Sequence, residues 1–179
     1  MTQPFAADDW LLRLARWVCI GLRALLWLVL VALILTIPFL FLAGAEEFAG
    51  IQRDLETAGI PISGRLAFGM VVGLLAALVA IFERFLATAQ QLIASLGTGD
   101  PFIESNAIRV QRMGWLLLAS QGVALLASLW SVAVEPMAEK LSVDGDLSPE
   151  ALIAALGLFI LARVFRHGAA MRDDLEGTV

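Results

Sequence analysis

The fold is decided by the stretch ALLWLVLVALILTIPFLFLA, residues 24–43, which runs for twenty residues without a charged side chain. As an α-helix it would be about 30 Å long, which matches the hydrocarbon thickness of a bilayer. Pro38 lies near its far end, where membrane helices tolerate a local kink. We therefore expect this stretch to cross a membrane.

The whole chain has more apolar residues than a soluble core of its size can bury. Of its 179 residues, 60% are apolar and 16% are charged, and the mean hydropathy is +0.86. A soluble domain has about 45–50% apolar and about 25% charged residues. Lipid is therefore the expected solvent for the surplus, and we interpret residues 1–179 as a single membrane domain.

Three further apolar stretches predict spans. With the first, the predicted spans are residues 24–43, 66–82, 113–134 and 149–165, separated by outer loops 44–65 and 135–148 and an inner loop 83–112. The helical pattern of the second span continues towards Leu96, beyond the membrane. The fourth span is short, but Ser148-Pro149-Glu150 is typical of a helix start. An interfacial helix there is the alternative.

The predicted fold class is all-α, an integral membrane four-helix bundle with an interfacial N-terminal helix over residues 9–23. Nine of the twelve Lys and Arg residues fall in the N-terminal segment, the inner loop and the tail, and three fall in the outer loops. Basic residues concentrate on the cytoplasmic side of membrane proteins. Both termini are therefore expected in the cytoplasm, with the protein in the cytoplasmic membrane.

Two rows of small side chains are typical of helix contacts in lipid. They are Gly69, Gly73 and Ala77 in the second span, and Ser120, Ala124 and Ser128 in the third. Lipid provides little hydrophobic drive between helices, so close backbone approach at small residues is the usual contact. We expect these rows to pack inside one bundle; a seam between copies of a homo-oligomer is the alternative.

A few polar side chains lie within or beside the spans. Glu83 and Arg163 fall at the cytoplasmic ends of the second and fourth spans, so an ion pair between them would relieve the cost of both charges. Independent contact with lipid headgroups is the alternative. Gln121 in the third span predicts one interhelical hydrogen bond.

The outer loops are acidic, and the first carries an apolar stripe. Phe48, Ile51 and Leu55 recur there at helical spacing. We expect this segment to lie with its stripe on the bundle. An acidic surface could also attract a cationic peptide or ion.

The residue types argue against an enzyme. Cys19 and His167 are the only cysteine and histidine, so a multi-Cys/His zinc site cannot form. No nucleophile with a base, and no carboxylate pair, can be assembled from the sequence. We expect no catalytic residues, no cofactor, no metal and no direct binding of nucleic acid.

Two segments on the expected cytoplasmic side resemble a known family. The first contains GDPF at residues 99–102, Asn106-Ala107 and RMGW at residues 112–115; the second contains LARVFRHG at residues 161–168, MRDDLE at 171–176 and Thr178-Val179. They resemble the bacterial four-span membrane proteins called domain of unknown function 2975. The resemblance implies a bacterial inner-membrane protein without an established activity, and a small cytoplasmic helix-turn-helix regulator as its partner.

Our leading hypothesis is a non-enzymatic membrane sensor or anchor that binds this regulator. The candidate partner-binding or structural residues are Asp100, Pro101, Phe102, Asn106, Arg109, Arg112, Trp115, Arg163, Phe165 and Arg166. In a purely structural interpretation, residues 100–102 cap a helix and Phe165 packs beneath it. The alternative functions are a homo-oligomeric small pore or transporter, and immunity or protection against a cationic peptide.

Overall fold

The computed structural model describes residues 9–57, 59–96, 102–133 and 147–176, and these residues are almost entirely helical. The elements are α1 (Asp9–Leu42), a 3-10 helix (Ala45–Phe48), α2 (Ala49–Thr57), α3 (Gly64–Leu96), α4 (Glu104–Ala133) and α5 (Pro149–Glu176). No residue in the described ranges forms a strand. The all-α prediction is confirmed for this part of the chain.

Four of the helices are long and apolar enough to cross a membrane. The candidate spans are Arg13–Leu42, Gly64–Ser95, Glu104–Trp130 and Pro149–Arg172, and the shortest has 24 residues. About 20 residues suffice to cross the hydrocarbon core. The fourth candidate span is therefore long enough to cross, which its short uninterrupted apolar run in the sequence did not decide. The chain has the architecture of a multi-pass membrane protein.

Local sequence explains where these helices begin and end. α5 begins at Pro149, whose missing N–H costs nothing in the first turn, and Glu150 follows beside the positive end of the helix. α3 ends at Leu96, where the helical pattern of the sequence predicted its end. Residues 9–23 join the first span without a break in α1, which at 34 residues is longer than the hydrocarbon core requires.

The chain divides into two compact units. We call residues 1–26, 82–118 and 149–179 the tail unit, and residues 27–81 and 119–148 the loop unit. α1, α3 and α4 contribute residues to both units, whereas α5 belongs to the tail unit alone.

The core of the loop unit lies where α2 covers α3. Leu55 is fully buried and packs with Ala67, Val71 and Trp130. Phe48, Ile51 and Leu55 thus form the apolar stripe that the sequence predicts, and Phe48 is likewise buried. The first predicted outer loop is therefore largely a helix laid on the bundle.

Gly64 allows this close packing at the start of α3. A Cβ at this position would lie 2.9 Å from the Phe48 carbonyl oxygen and 3.0 Å from the Gln52 backbone nitrogen. The Gly64 N–H donates to Gln52 Oε1 at 2.7 Å, and this bond satisfies one of the free N–H groups of the first turn. A larger residue would push α2 away from α3.

The charge excess predicts the orientation of the helices, and thiol labelling measures it. In a Cys19→Ser background, Glu104→Cys should react with a membrane-impermeant maleimide only after spheroplasts are lysed. Glu56→Cys should react in intact spheroplasts, because the segment between the first two spans is expected outside. Leu28→Cys, whose native side chain is exposed on an apolar helix, is the control that should react poorly in both. The inverse pattern at positions 56 and 104 would reverse the assigned orientation.

Candidate functional site

A charged cluster joins α1 to α3 in the tail unit. Arg23 Nη2 and Nε donate to Glu83 Oε1 at 2.6 and 3.1 Å, and Arg23 Nη1 donates to Gln90 Oε1 at 2.6 Å. Glu83 and Gln90 are seven residues apart and share one face of α3, since seven residues are about two helical turns. The Glu83 side chain is therefore satisfied although the residue is only 7% exposed.

The predicted ion pair between Glu83 and Arg163 is wrong. Among the described residues, Arg23 forms the ion pair with Glu83. Glu83 is directed towards α1, whereas Arg163 is exposed on α5. Glu83 has a cationic partner, but α1 and not α5 supplies it.

Asn106 fixes the start of α4 against the end of α3. Its side chain is fully buried, and Asn106 Oδ1 accepts hydrogen bonds from Ser95 Oγ at 2.7 Å and Arg109 Nη1 at 2.6 Å. Two of the predicted binding residues, Asn106 and Arg109, therefore help to hold the start of α4 against the end of α3. The buried amide could not have been recognised from the sequence, which shows only that Asn106 lies in a polar segment.

Phe102 lies against α5. Its ring centroid is 5.6 Å from that of Phe165, and a Cβ on Gly168 would come within 2.6 Å of Phe102 Cδ1. The absence of a side chain at Gly168 thus makes room for the ring. Phe165 thus contacts Phe102, as the structural interpretation expects, while Asp100 and Pro101 of the predicted cap lie outside the described residues.

Two further contacts connect α4 with α5. Arg166 Nη2 donates to Gln111 Oε1 at 2.7 Å. One turn further along α4, the Trp115 ring meets the Phe159 ring edge-on at a centroid distance of 5.3 Å. The two segments that carry the family resemblance therefore meet in space.

One face of α4 remains exposed. We call Glu104, Ile108, Arg112 and Trp115 the α4 stripe, because their spacing of four, four and three residues places them on one side of the helix. Ile108 is 48% exposed although six of the nine residues from Glu104 to Arg112 are polar. Exposed apolar area therefore lies within a polar segment, at the start of the candidate span Glu104–Trp130.

A groove of about 1140 Å³ runs along α5, and we call it the α5 groove. Its wall combines apolar side chains, including Phe102 and Ile160, with Arg163, Arg166 and His167. No group of three or more His, Cys, Asp or Glu residues suited to a metal occurs within the described ranges.

The small-residue rows contribute unequally to packing. Gly69 lies beside Leu40, whose Cδ1 would be 3.8 Å from a Cβ at position 69, whereas Gly73 has open space around it. Ala77, Ala124 and Ser128 are half-buried and Ser120 is buried. Gln121 Oε1 accepts a hydrogen bond from the Ser148 N–H at 2.8 Å. The bond predicted for Gln121 therefore goes to the residue before α5 and not to a residue of another helix.

Comparison with known proteins gives one family. A family model described as "Protein of unknown function (DUF2975)" matches residues 56–179, a range that contains both resembling segments. Neither the curated proteins nor the solved structures provide a match. The resemblance noted in the sequence is therefore confirmed.

The Arg23–Glu83 pair gives a direct test of this geometry. Arg23→Ala and Glu83→Ala should each lower the thermal unfolding midpoint in detergent, because each leaves the other charge without its partner. Breaking a fully buried pair costs about 3–5 kcal/mol, and we expect less here because the Arg23 side chain is 31% exposed. The double variant should be less destabilised than the sum of the single variants.

Arg163→Ala supplies the matched control for this cycle. Since Arg163 is exposed and is not the partner of Glu83, its effect should be small and should add to that of Glu83→Ala. Coupling between positions 83 and 163, with additivity between 23 and 83, would contradict the assignment.

Proposed function

The chain belongs to the DUF2975 family of proteins of unknown function, and we propose that it is a non-enzymatic membrane protein that binds a cytoplasmic partner through the α4 stripe. The family resemblance implies a small helix-turn-helix regulator as this partner. In that role the protein holds the regulator at the membrane or releases it in response to a membrane signal.

The observation that carries the proposal is the meeting of the two resembling segments. Contacts between Phe102 and Phe165 and between Gln111 and Arg166 bring the start of α4 and the second half of α5 together. Residues far apart in the chain thereby support one exposed surface. A surface organised in this way is suited to binding a folded partner.

The chemistry of the α4 stripe supports a protein partner. Ile108 and Trp115 offer apolar area, and Arg112 offers a guanidinium that can bind a carboxylate. Protein interfaces are enriched in aromatic residues and arginine, which supply most of their binding energy. The stripe carries one acid, Glu104, and one base, Arg112, so its charges favour a partner with a basic group opposite Glu104 and an acidic group opposite Arg112.

The structure shows which of the candidate binding residues can be substituted to test partner binding. Asn106 and Arg109 are engaged within the protein, so their substitution would disturb the start of α4 as well as any binding. Ile108 and Arg112 are exposed and can be changed without breaking a contact described above. They are the informative positions.

We expect a photo-crosslinking amino acid at position 108 to capture a small helix-turn-helix protein in the native bacterium, identified by mass spectrometry. The same amino acid at position 56, in the loop expected to lie outside the cytoplasm, should not capture it. With the captured protein purified, Ile108→Ala and Arg112→Ala should each weaken binding by about tenfold, as expected when an interface anchor is truncated. Arg53→Ala, an exposed arginine of α2, should leave binding unchanged.

The proposal would be overturned if position 108 gave no protein product beyond that at position 56. It would also fail if Ile108→Ala and Arg112→Ala bound the partner as tightly as the wild type. Arg109→Ala should lower both binding and the unfolding midpoint, which separates its structural role from direct contact.

The open space at Gly73 favours a second candidate, a homo-oligomer related to the pore or transporter alternative. Gly73 is exposed and its row is of the kind at which membrane helices approach each other. A single defined oligomer in nanodiscs that dissociates on Gly73→Leu, but not on Ala80→Leu at another exposed position of α3, would support it. A monomeric wild type would exclude it.

A further inference from the structure

We propose that the α5 groove binds an anionic phospholipid, with its phosphate on Arg163 and Arg166 and an acyl chain along Ile160 and Val164. This inference goes beyond the proposed function and does not depend on it. A partner on the α4 stripe and a lipid in the α5 groove involve different exposed side chains.

In the α5 groove, Ile160 precedes both arginines and Val164 lies between them, so the wall changes from apolar to charged along the helix. Ile160 and Val164 are one turn apart on the same side of the helix. Arg163 and His167 are likewise one turn apart. Because α5 begins at Pro149, Arg163 and Arg166 lie about 21 and 26 Å along the helix from its start. The hydrocarbon core is about 30 Å thick, so these cations lie near its far boundary.

The two arginines need an anion at this depth. Among the residues that the structure describes, no carboxylate forms an ion pair with Arg163 or Arg166. Gln111 supplies Arg166 with one hydrogen bond from a neutral side chain, which adds no opposite charge. A guanidinium at the edge of the hydrocarbon core is costly unless it reaches a headgroup or a paired anion, and a phosphate accepts the two arginines well.

The apolar side of the groove is open to lipid. Ile160 is 59% exposed and Val164 is 54% exposed, although both line the groove. The exposed surface continues towards the start of α5 through Leu156 and Ile153. An acyl chain can therefore enter sideways from the bilayer.

This continuity favours a lipid over a segment of a cytoplasmic protein. A segment arriving from water would have to place apolar side chains along Ile160 and Leu156, within the expected span. A phospholipid already has its acyl chains at that level and its phosphate at the boundary. The volume of about 1140 Å³ is large enough for a headgroup together with part of a chain.

The test is native mass spectrometry of the full-length protein in detergent, titrated with phosphatidylglycerol or with phosphatidylcholine of the same chain length. The wild type should retain phosphatidylglycerol roughly tenfold more strongly, as expected for two arginines acting on one anionic headgroup. The Arg163→Gln/Arg166→Gln variant should lose this preference. Arg16→Gln/Arg84→Gln, which removes two exposed arginines outside the groove, is the matched control and should keep it.

A second variant tests the groove without removing a charge. Ala170 lines the groove and is exposed, so Ala170→Trp should fill the space and reduce phosphatidylglycerol retention while both arginines remain. The unfolding midpoint of each variant, measured without added lipid, shows that it folds. Excess inorganic phosphate should not displace the lipid, because phosphate lacks the acyl chain.

Several outcomes would overturn the proposal. Equal retention of the two lipids by the wild type would show that the groove does not select an anionic headgroup. An unchanged preference in the Arg163→Gln/Arg166→Gln variant would place the lipid elsewhere. Displacement by inorganic phosphate would show an anion site without an acyl-chain site. Loss of the cross-linked partner in this variant, with its lipid preference intact, would assign the groove to the protein partner instead.

Discussion

The hydrocarbon core of a bilayer offers no hydrogen-bond partner to the polypeptide backbone, and the described structure follows from this constraint. Within one chain segment, only a helix satisfies its own N–H and C=O groups there. The four long helices meet this requirement and leave their apolar side chains to lipid. α1 shows the result most clearly, since none of the residues in its most apolar window is buried against the rest of the protein.

Because lipid is as apolar as leucine, side-chain burial alone does little to hold such helices together. The described contacts depend instead on hydrogen bonds, ring contacts and small residues. Arg23 joins α1 to α3 through Glu83, and Asn106 joins α3 to α4 through Ser95. The loop unit differs, because α2 lies over α3 and forms a compact apolar core around Leu55.

In the part of the chain that the structure describes, apolar length and helix-terminus residues were sufficient to predict four helices long and apolar enough to cross a membrane, the end of α3 and the start of α5. The partner of Glu83 could not be predicted in the same way. Arg23 and Arg163 both lie near the expected cytoplasmic boundary, so the membrane level of the charges does not distinguish them. The choice depends on how α1, α3 and α5 are rotated about their axes, and a hydropathy pattern that is apolar on nearly every side contains little information on rotation.

The same limit applies to the candidate site. The resembling segments were recognised together, but the sequence did not separate residues that hold the helices from residues that remain available. Asn106 is buried and Arg109 is bound to it, whereas Ile108 and Arg112, on the other side of the same two turns, are exposed.

Gln111 then marks the boundary between the two proposed surfaces. It precedes Arg112 of the α4 stripe and accepts a hydrogen bond from Arg166 of the α5 groove. A shift of α4 large enough to break that bond would free one of the two arginines proposed to hold the phosphate. Gln111 therefore connects the helix that carries the α4 stripe to an arginine of the α5 groove.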